Sequence, residues 1–150
     1  MPPAASGYRA AMAEPQVVLE SDVEPRSWAD PVRGTVTFQT LTGDAQPTPG
    51  LSSGVAVLES GGWLGRHRHA PPETYYVLEG HGVLTVEQQE HRLGPGSVAY
   101  IPSDSEHSVR NDGPGRLRVF YVFAAARFDE VEYVFTDEEC ICLLYTTPSP

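Results

Sequence analysis

The sequence contains no lysine, only two cysteines and no long apolar run. All ten of its cations are arginines, and they stand against twenty acidic residues, so the formal net charge of the 150-residue chain is −10. Nucleic acids and anionic membrane surfaces attract basic patches, so this charge argues against both as partners. No segment approaches the roughly 20 apolar residues that span a bilayer. Two cysteines also cannot form a disulfide framework.

The length of the chain fits a single domain that needs no covalent or metal staple to hold its core. A chain of 150 residues buries roughly 70% of its unfolded surface. Its N-terminus has neither the basic nor the apolar region of a signal peptide. We therefore expect one cytoplasmic domain with a small-molecule partner.

The two ends of the chain differ in composition from its middle. Residues 1–34 are expected to form a partly disordered N-terminal extension, in which Glu24 to Gly34, with its two prolines, reads as loop. We expect the folded barrel to span 35–136 and a tail to span 137–150. The tail changes abruptly in character near its incidental thiols, Cys140 and Cys142. It resembles a translated adapter or out-of-frame segment, so we exclude it from the fold prediction.

Short apolar runs closed by Gly, Pro or Asp recur along the middle of the chain. They are TVTFQTL at 35–41, GVAVLES at 54–60, ETYYVLE at 73–79, GVLTVEQ at 82–88, SVAYIP at 97–102, LRVFYVFA at 117–124 and VEYVF at 131–135. Each is rich in β-branched or aromatic residues, as strands are, and no helical stretch of about 10 residues separates them. The pattern predicts an all-β sandwich or barrel, because an α/β fold would need crossover helices.

Three of the five histidines share one arrangement with a carboxylate. His67 and His69 are two residues apart, so on a strand their imidazoles point to the same face. Glu73 opens the next strand after a proline turn, and a neighbouring strand can bring His107 across. Such a set suits Zn, Fe, Mn, Ni or Cu and leaves positions open for water or substrate. The other two histidines lie in turn-like or solvent-facing contexts, where we expect exposed side chains: His81 and His91.

At these residues the chain resembles the cupins. The first cupin motif is matched at Gly61, His67, His69, Glu73 and Gly80, and the second at Gly96, Pro102, His107 and Asn111. Asp104 replaces the inner glycine of the second motif, at a turn where Asp tolerates unusual backbone angles. The resemblance implies a single jelly-roll β-barrel with short disordered terminal segments. It also implies that a divalent transition metal (Fe, Mn, Zn or Ni) is bound by His67, His69, Glu73 and His107, without an organic cofactor.

Within the cupins, three segments resemble the small dimethylsulfoniopropionate lyases: HRHAPPETYYVLEG, VAYIPSDSEHSVRNDG and LRVFYVFAAARFDEVEYVF. This resemblance implies β-elimination of dimethylsulfoniopropionate to dimethyl sulfide and acrylate. Tyr75 follows Glu73 by two residues and shares its inward face, so it either fills the barrel or acts as the base. Aromatic rings that could face a cationic sulfonium, although core packing also accounts for them, are Trp63, Tyr100, Tyr121 and Tyr133.

Several readings remain open on the sequence. The same ligands serve an iron-dependent dioxygenase of small molecules and an isomerase or decarboxylase of a 1,3-dicarbonyl compound. A non-catalytic cupin that binds a small ligand is a further alternative. Many cupins pair through strand edges, which would cover the exposed edges, so we expect a homodimer.

Overall fold

The computed structural model describes residues 14–136, and within them it contains eleven strands and two single turns of 3₁₀ helix. The turns are Glu20–Asp22 and Phe128–Glu130. The strands are β1 (Arg26–Asp30), β2 (Gly34–Thr42), β3 (Ser52–Leu58), β4 (Trp63–Arg68), β5 (Glu73–Glu79), β6 (Gly82–Val86), β7 (Gln89–Leu93), β8 (Val98–Ile101), β9 (His107–Arg110), β10 (Leu117–Phe123) and β11 (Val134–Phe135). No helix in this part of the chain is long and apolar enough to cross a membrane. The predicted all-β class is confirmed.

The strands pair antiparallel in one curled sheet, which gives the predicted jelly-roll barrel. The order across the sheet is β7-β6-β9-β4-β2-β3-β10-β5-β8, with β1 added to β2 and β11 added to β4. β2, β5 and β10 alternate buried with less buried residues, so every second side chain points into the barrel. The core therefore lies inside the curl, and the remaining side chains cover its outer surface.

Two strands lie where none was predicted. The segment 24–34, expected to be loop, contains β1, which pairs in continuous register with β2 from Arg26↔Phe38 to Asp30↔Gly34. Pro25 and Pro31 flank this strand and do not interrupt it, because a proline outside the pairing removes no hydrogen bond from the ladder. β7 was missed because all but one of its residues are exposed, so it has no apolar alternation to detect. The expected disorder at 1–13, the tail from residue 137 and the thiols of Cys140 and Cys142 lie outside the described residues.

Two residues of the second motif, Asp104 before His107 and Asn111 after it, fix the backbone around this histidine. Asp104, which replaces the motif glycine, has φ of 59°, so the expected tolerance of Asp for a left-handed conformation is confirmed. Its backbone N–H donates to the carbonyl of His69 at 2.9 Å, which joins the two motifs. Asn111 closes the second motif: its Nδ2 donates to the carbonyls of Leu58 and Gly115, both at 2.8 Å. These contacts hold the strand ends that carry the histidines.

Candidate metal centre

Three histidine side chains converge inside the barrel. β4 and β9 pair so that His67 lies directly opposite His107, and His69 follows two residues after His67 on the same face. One nitrogen from each ring lies within 4.8 Å of the others, and all three side chains are buried. The predicted alternation is also seen, since Arg66 on β4 is exposed while His67 is buried. Antiparallel register is therefore what brings residues 40 positions apart into one cluster.

The backbone orients each ring toward the centre of this cluster. The Nδ1 atoms of His67, His69 and His107 lie 2.7, 2.8 and 2.8 Å from the carbonyl oxygens of residues 65, 71 and 105. A carbonyl only accepts, so each Nδ1 carries the proton and donates it. In a neutral imidazole the other nitrogen, Nε2, then has an unprotonated lone pair. Outer hydrogen bonds of this kind fix the tautomer of histidines that bind metals.

Glu73 at the start of β5 completes the cluster. Its Oε1 lies 3.3 Å from Nε2 of His69 and 3.3 Å from Nε2 of His107, but neither contact has hydrogen-bond geometry. Within residues 14–136, all three of these atoms are buried without a hydrogen-bond partner. Buried polar atoms left in this way are unfavourable unless something else satisfies them. Two imidazole nitrogens and a carboxylate oxygen that converge around one point, with His67 beside them, fit a divalent transition metal.

Burial and neighbouring charges shift the pKa values of two of these histidines in opposite directions. Burial, with the adjacent His107 and His69, holds the pKa of His67 well below its usual value, so this ring is neutral near pH 7. Burial also lowers the pKa of His69, but the Glu73 carboxylate outweighs it, and the net pKa is raised. Metal ligands must be deprotonated. The neutral state of His67 is therefore the state that a metal requires.

Tyr75 lies on the same inward face of β5 as Glu73, as its spacing predicts. It is 5% exposed, whereas the next residue, Tyr76, is 43% exposed on the outer face. Burial, followed by the negative charge of Glu73, raises the pKa of the Tyr75 phenol well above its usual value. Burial and Glu73 do the same to Tyr133, and burial raises the pKa of Tyr121 to about 12. All three phenols are therefore protonated near neutral pH in the absence of a nearby cation.

A mostly apolar cavity of about 40 Å³ opens beside Glu73 and Tyr75. Its walls come from β1 to β5, β10 and the segment that follows β10. Its lining residues are Trp28, Val36, Phe38, Ala56, Leu64, Glu73, Tyr75, Tyr121, Phe128 and Tyr133. Tyr133 connects the cavity to the histidines, since its ring centroid lies 5.0 Å from that of His67 and 5.3 Å from that of His69.

The four aromatic residues singled out in the sequence separate into two pairs. Tyr121 and Tyr133 line the cavity. Trp63 instead lines a depression on the outside of β4, β6 and β9, and Tyr100 is 66% exposed on β8. Neither Trp63 nor Tyr100 is among the described residues that line the cavity. Exposed positions were correctly predicted for the remaining two histidines, His81 and His91.

Three aromatic rings in the cavity wall went unrecognised in the sequence. Trp28 belongs to the segment predicted as loop, Phe38 to a predicted strand and Phe128 to a 3₁₀ turn. Phe38 could have been recognised as an inward-facing residue, because its strand alternates and Val36 shares its buried face. Trp28 and Phe128 could not, since their positions depend on how β1 and the segment after β10 cross the barrel.

Comparison with known proteins identifies relatives over most of the chain. The family model described as a cupin domain matches residues 54–123. The dimethylsulfoniopropionate lyase DddW of Ruegeria pomeroyi is 37% identical over 123 residues, which cover 81% of this chain and 80% of that protein. The 5-nitrosalicylic acid 1,2-dioxygenase of a Bradyrhizobium species is 28% identical over 91 residues, or 61% of this chain and 44% of that enzyme.

Solved structures share the fold. The structure of a cupin 2 conserved barrel domain protein from Rhodopseudomonas palustris superposes with a TM-score of 0.64. The match covers 91% of this chain and 92% of that one, at 21% identity. At this identity the likeness concerns the barrel alone, since proteins of one fold carry many different activities.

Proposed function

The chain belongs to the cupin family, and from that membership we propose that it is a metal-dependent lyase that cleaves dimethylsulfoniopropionate into dimethyl sulfide and acrylate. The observation that supports this most strongly is the meeting of three features at one point. A buried cluster of three histidines and Glu73 adjoins the Tyr75 phenol, and both adjoin one small cavity. The similarity to a dimethylsulfoniopropionate lyase over 81% of the chain adds the substrate class.

His67, His69, His107 and Glu73 are the side chains that would hold a divalent Fe, Mn, Zn or Ni ion. When bound, such an ion would supply positive charge that neutralises a substrate carboxylate, acidifies its α-proton and favours ionisation of a nearby phenol. No organic cofactor is needed for this reaction, because the sulfonium is already a good leaving group.

Tyr75 is the group that we assign to proton abstraction. Its phenolate oxygen takes the proton from the α-carbon, and the electron pair of that C–H bond becomes the new double bond between the α- and β-carbons. The bond from the β-carbon to sulfur breaks at the same time, and its electron pair leaves with neutral dimethyl sulfide. The proton remains on the Tyr75 oxygen, and the organic product is acrylate. A positioned general base of this kind contributes typically 10²–10⁴-fold to a rate.

The walls of the cavity orient the substrate and exclude water. Val36, Ala56 and Leu64 supply apolar surface beside the aromatic rings, and Glu73 contributes the carboxylate.

The direct test is release of dimethyl sulfide under nitrogen. Metal-loaded protein is incubated with dimethylsulfoniopropionate without oxygen, and the headspace gas and the acrylate are quantified. Equal amounts of both products support elimination. Turnover that requires oxygen and iron would support the dioxygenase alternative, and no turnover with any of the four metals would favour a ligand-binding cupin.

Replacement of Tyr75 by Phe tests the assigned base. We expect this variant to retain its metal and to lose at least about 10²-fold in kcat, since only the phenolic oxygen is removed. Tyr133→Phe is the matched comparison, because Tyr133 also lines the cavity and contacts His67 and His69. An unchanged rate for Tyr75→Phe together with a loss for Tyr133→Phe would move the role to Tyr133.

The protein is further proposed to act as a cytoplasmic homodimer on a small molecule, without nucleic acid or membrane partners. The acidic composition of the chain supports the last point. Sedimentation analysis of the purified protein would test the dimer.

A further inference from the structure

We propose that Trp28, Phe38, Phe128 and Tyr133 form an aromatic box that binds an organic onium group, either a sulfonium or a quaternary ammonium. Three of these four residues come from parts of the chain where the sequence did not indicate a binding role. The inference rests on the proposed function for the other end of the ligand, whose carboxylate would reach the histidine cluster. It implies that the cavity selects onium carboxylates as a class.

The four rings contact one another in a closed circuit. Centroid separations around it are 5.1 Å from Trp28 to Phe38, 5.4 Å from Phe38 to Phe128, 6.1 Å from Phe128 to Tyr133 and 5.2 Å from Tyr133 to Trp28. The rings are inclined to one another by 39° to 86°. All four line the same cavity, so they offer ring faces and edges around a common space. Boxes of this kind bind methylated cations through the negative faces of the rings.

The box lies next to the proposed carboxylate site. Tyr133 belongs to the box and also contacts His67 and His69 at centroid distances of 5.0 and 5.3 Å. The box and the histidine cluster are therefore adjacent, as recognition of a short ligand with an onium group at one end and a carboxylate at the other requires. Glu73 lies in the same cavity and adds negative charge to it.

Two arginines show that these rings already accept cations. The guanidinium carbon of Arg26 lies 5.8 Å from the centroid of Phe38 and 6.0 Å from that of Phe128, and that of Arg33 lies 5.1 Å from Trp28. Both arginine side chains are about half exposed and do not line the cavity.

Each of these arginines is also paired with a carboxylate, so its charge does not repel a second cation strongly. Arg26 contacts Asp44 at 2.8 Å and Arg33 contacts Asp30 at 2.7 Å. In the described part of the chain, no positively charged residue lines the cavity itself. An onium group inside the box therefore meets aromatic rings and aliphatic carbon.

The test compares two ligands that differ only in charge. One is the betaine of β-alanine, with a trimethylammonium tail, and the other is its carbon isostere, in which a tert-butyl group replaces that tail. Both share the carboxylate, so the ratio of their dissociation constants isolates the box. We expect the betaine to bind the purified full-length protein about tenfold more tightly by calorimetry, from the usual strength of desolvated cation–π contacts.

The opposite order would overturn the proposal. An apolar pocket without cation recognition prefers the tert-butyl ligand, because the ammonium loses more hydration on entry. Equal or tighter binding of the isostere to the wild-type protein would therefore refute the box. This result needs no turnover, so it is independent of whether dimethyl sulfide is released in the activity assay.

A variant tests whether the aromatic box is the source of the preference for the betaine. Phe128→Leu keeps an apolar side chain but removes one face of the box. We expect the preference for the betaine, measured as the ratio of the two dissociation constants, to fall by about threefold or more. Tyr76→Leu is the matched control, since Tyr76 is an aromatic residue on the outer face of β5. A ratio that is unchanged in Phe128→Leu, or that falls equally in Tyr76→Leu, would contradict the assignment.

Discussion

Metal binding should stabilise the fold, because it satisfies buried atoms that otherwise lack partners. His69 Nε2, Glu73 Oε1 and His107 Nε2 are buried without hydrogen bonds within the described residues. Leaving a buried polar atom unsatisfied costs about 1–3 kcal/mol. A ligand that occupies this site only in the folded state must therefore raise the free energy of unfolding.

The size of the effect follows from mass action. Free metal at a thousand times its dissociation constant adds about 4 kcal/mol to the free energy of unfolding. For a chain of this length each kcal/mol raises Tm by roughly 2–4 °C, so we expect an increase of roughly 8–16 °C. The increase should be concentration-dependent, and its rank among Mn, Fe, Ni and Zn would report relative affinity.

The assay is thermal unfolding of protein dialysed against a chelator and then titrated with each metal. His107→Ala should lose the metal-dependent rise in Tm, because one of three converging imidazoles is gone. His91→Ala should retain it, since His91 is exposed on β7. A folded wild-type protein whose Tm no metal changes, or a full rise in His107→Ala, would refute the site.

Two further predictions concern stability. A Cβ on Gly54 would lie 2.3 Å from the hydroxyl oxygen of Tyr121 and 2.3 Å from a backbone carbonyl oxygen, so Gly54→Ala should lower the free energy of unfolding by about 1–3 kcal/mol. Gly115→Ala, where a Cβ meets nothing within 4 Å, is the control in urea unfolding, and similar midpoints for the two would contradict the steric argument. In metal-free protein the folded state resists protonation of His67, whose pKa burial holds well below 6.5, while the unfolded chain accepts that proton. The stability that neutral His67 contributes is thus complete above pH 6.5 and is lost as pH falls toward the folded-state pKa. His67→Gln should flatten this part of the pH profile, and an unchanged slope would exclude His67 as its source.

Much of the candidate metal centre could be predicted from the chain alone, because its determinants are local. The spacing of His67 and His69 places both on one face of any strand, and Glu73 and Tyr75 share a face for the same reason. Asp104 could be assigned to a turn because it replaces the inner glycine of the second cupin motif, and its φ of 59° agrees with the tolerance of Asp for unusual backbone angles. The alternation in β2, β5 and β10 likewise predicted strands without knowledge of their partners.

The cavity beside Glu73 and Tyr75 could not be predicted in this way, because it depends on contacts between distant segments. Trp28 reaches the cavity since β1 adds to β2, and Phe128 reaches it since a 3₁₀ turn follows β10. No periodic pattern in the sequence identified Trp28 or Phe128. Trp63 and Tyr100 were predicted to line the site, but Trp63 lies at the outer depression and Tyr100 is exposed.

The sequence by itself thus determined the strand class and the faces that His67 shares with His69 and Glu73 shares with Tyr75, since a two-residue repeat is a property of the extended backbone. Only the tertiary structure decided which rings surround the space beside Glu73 and Tyr75. Register and sheet order bring His107 opposite His67 and bring Trp28 and Phe128 to the same cavity. Such long-range pairing depends on the packing of the whole barrel, and no local pattern encodes it.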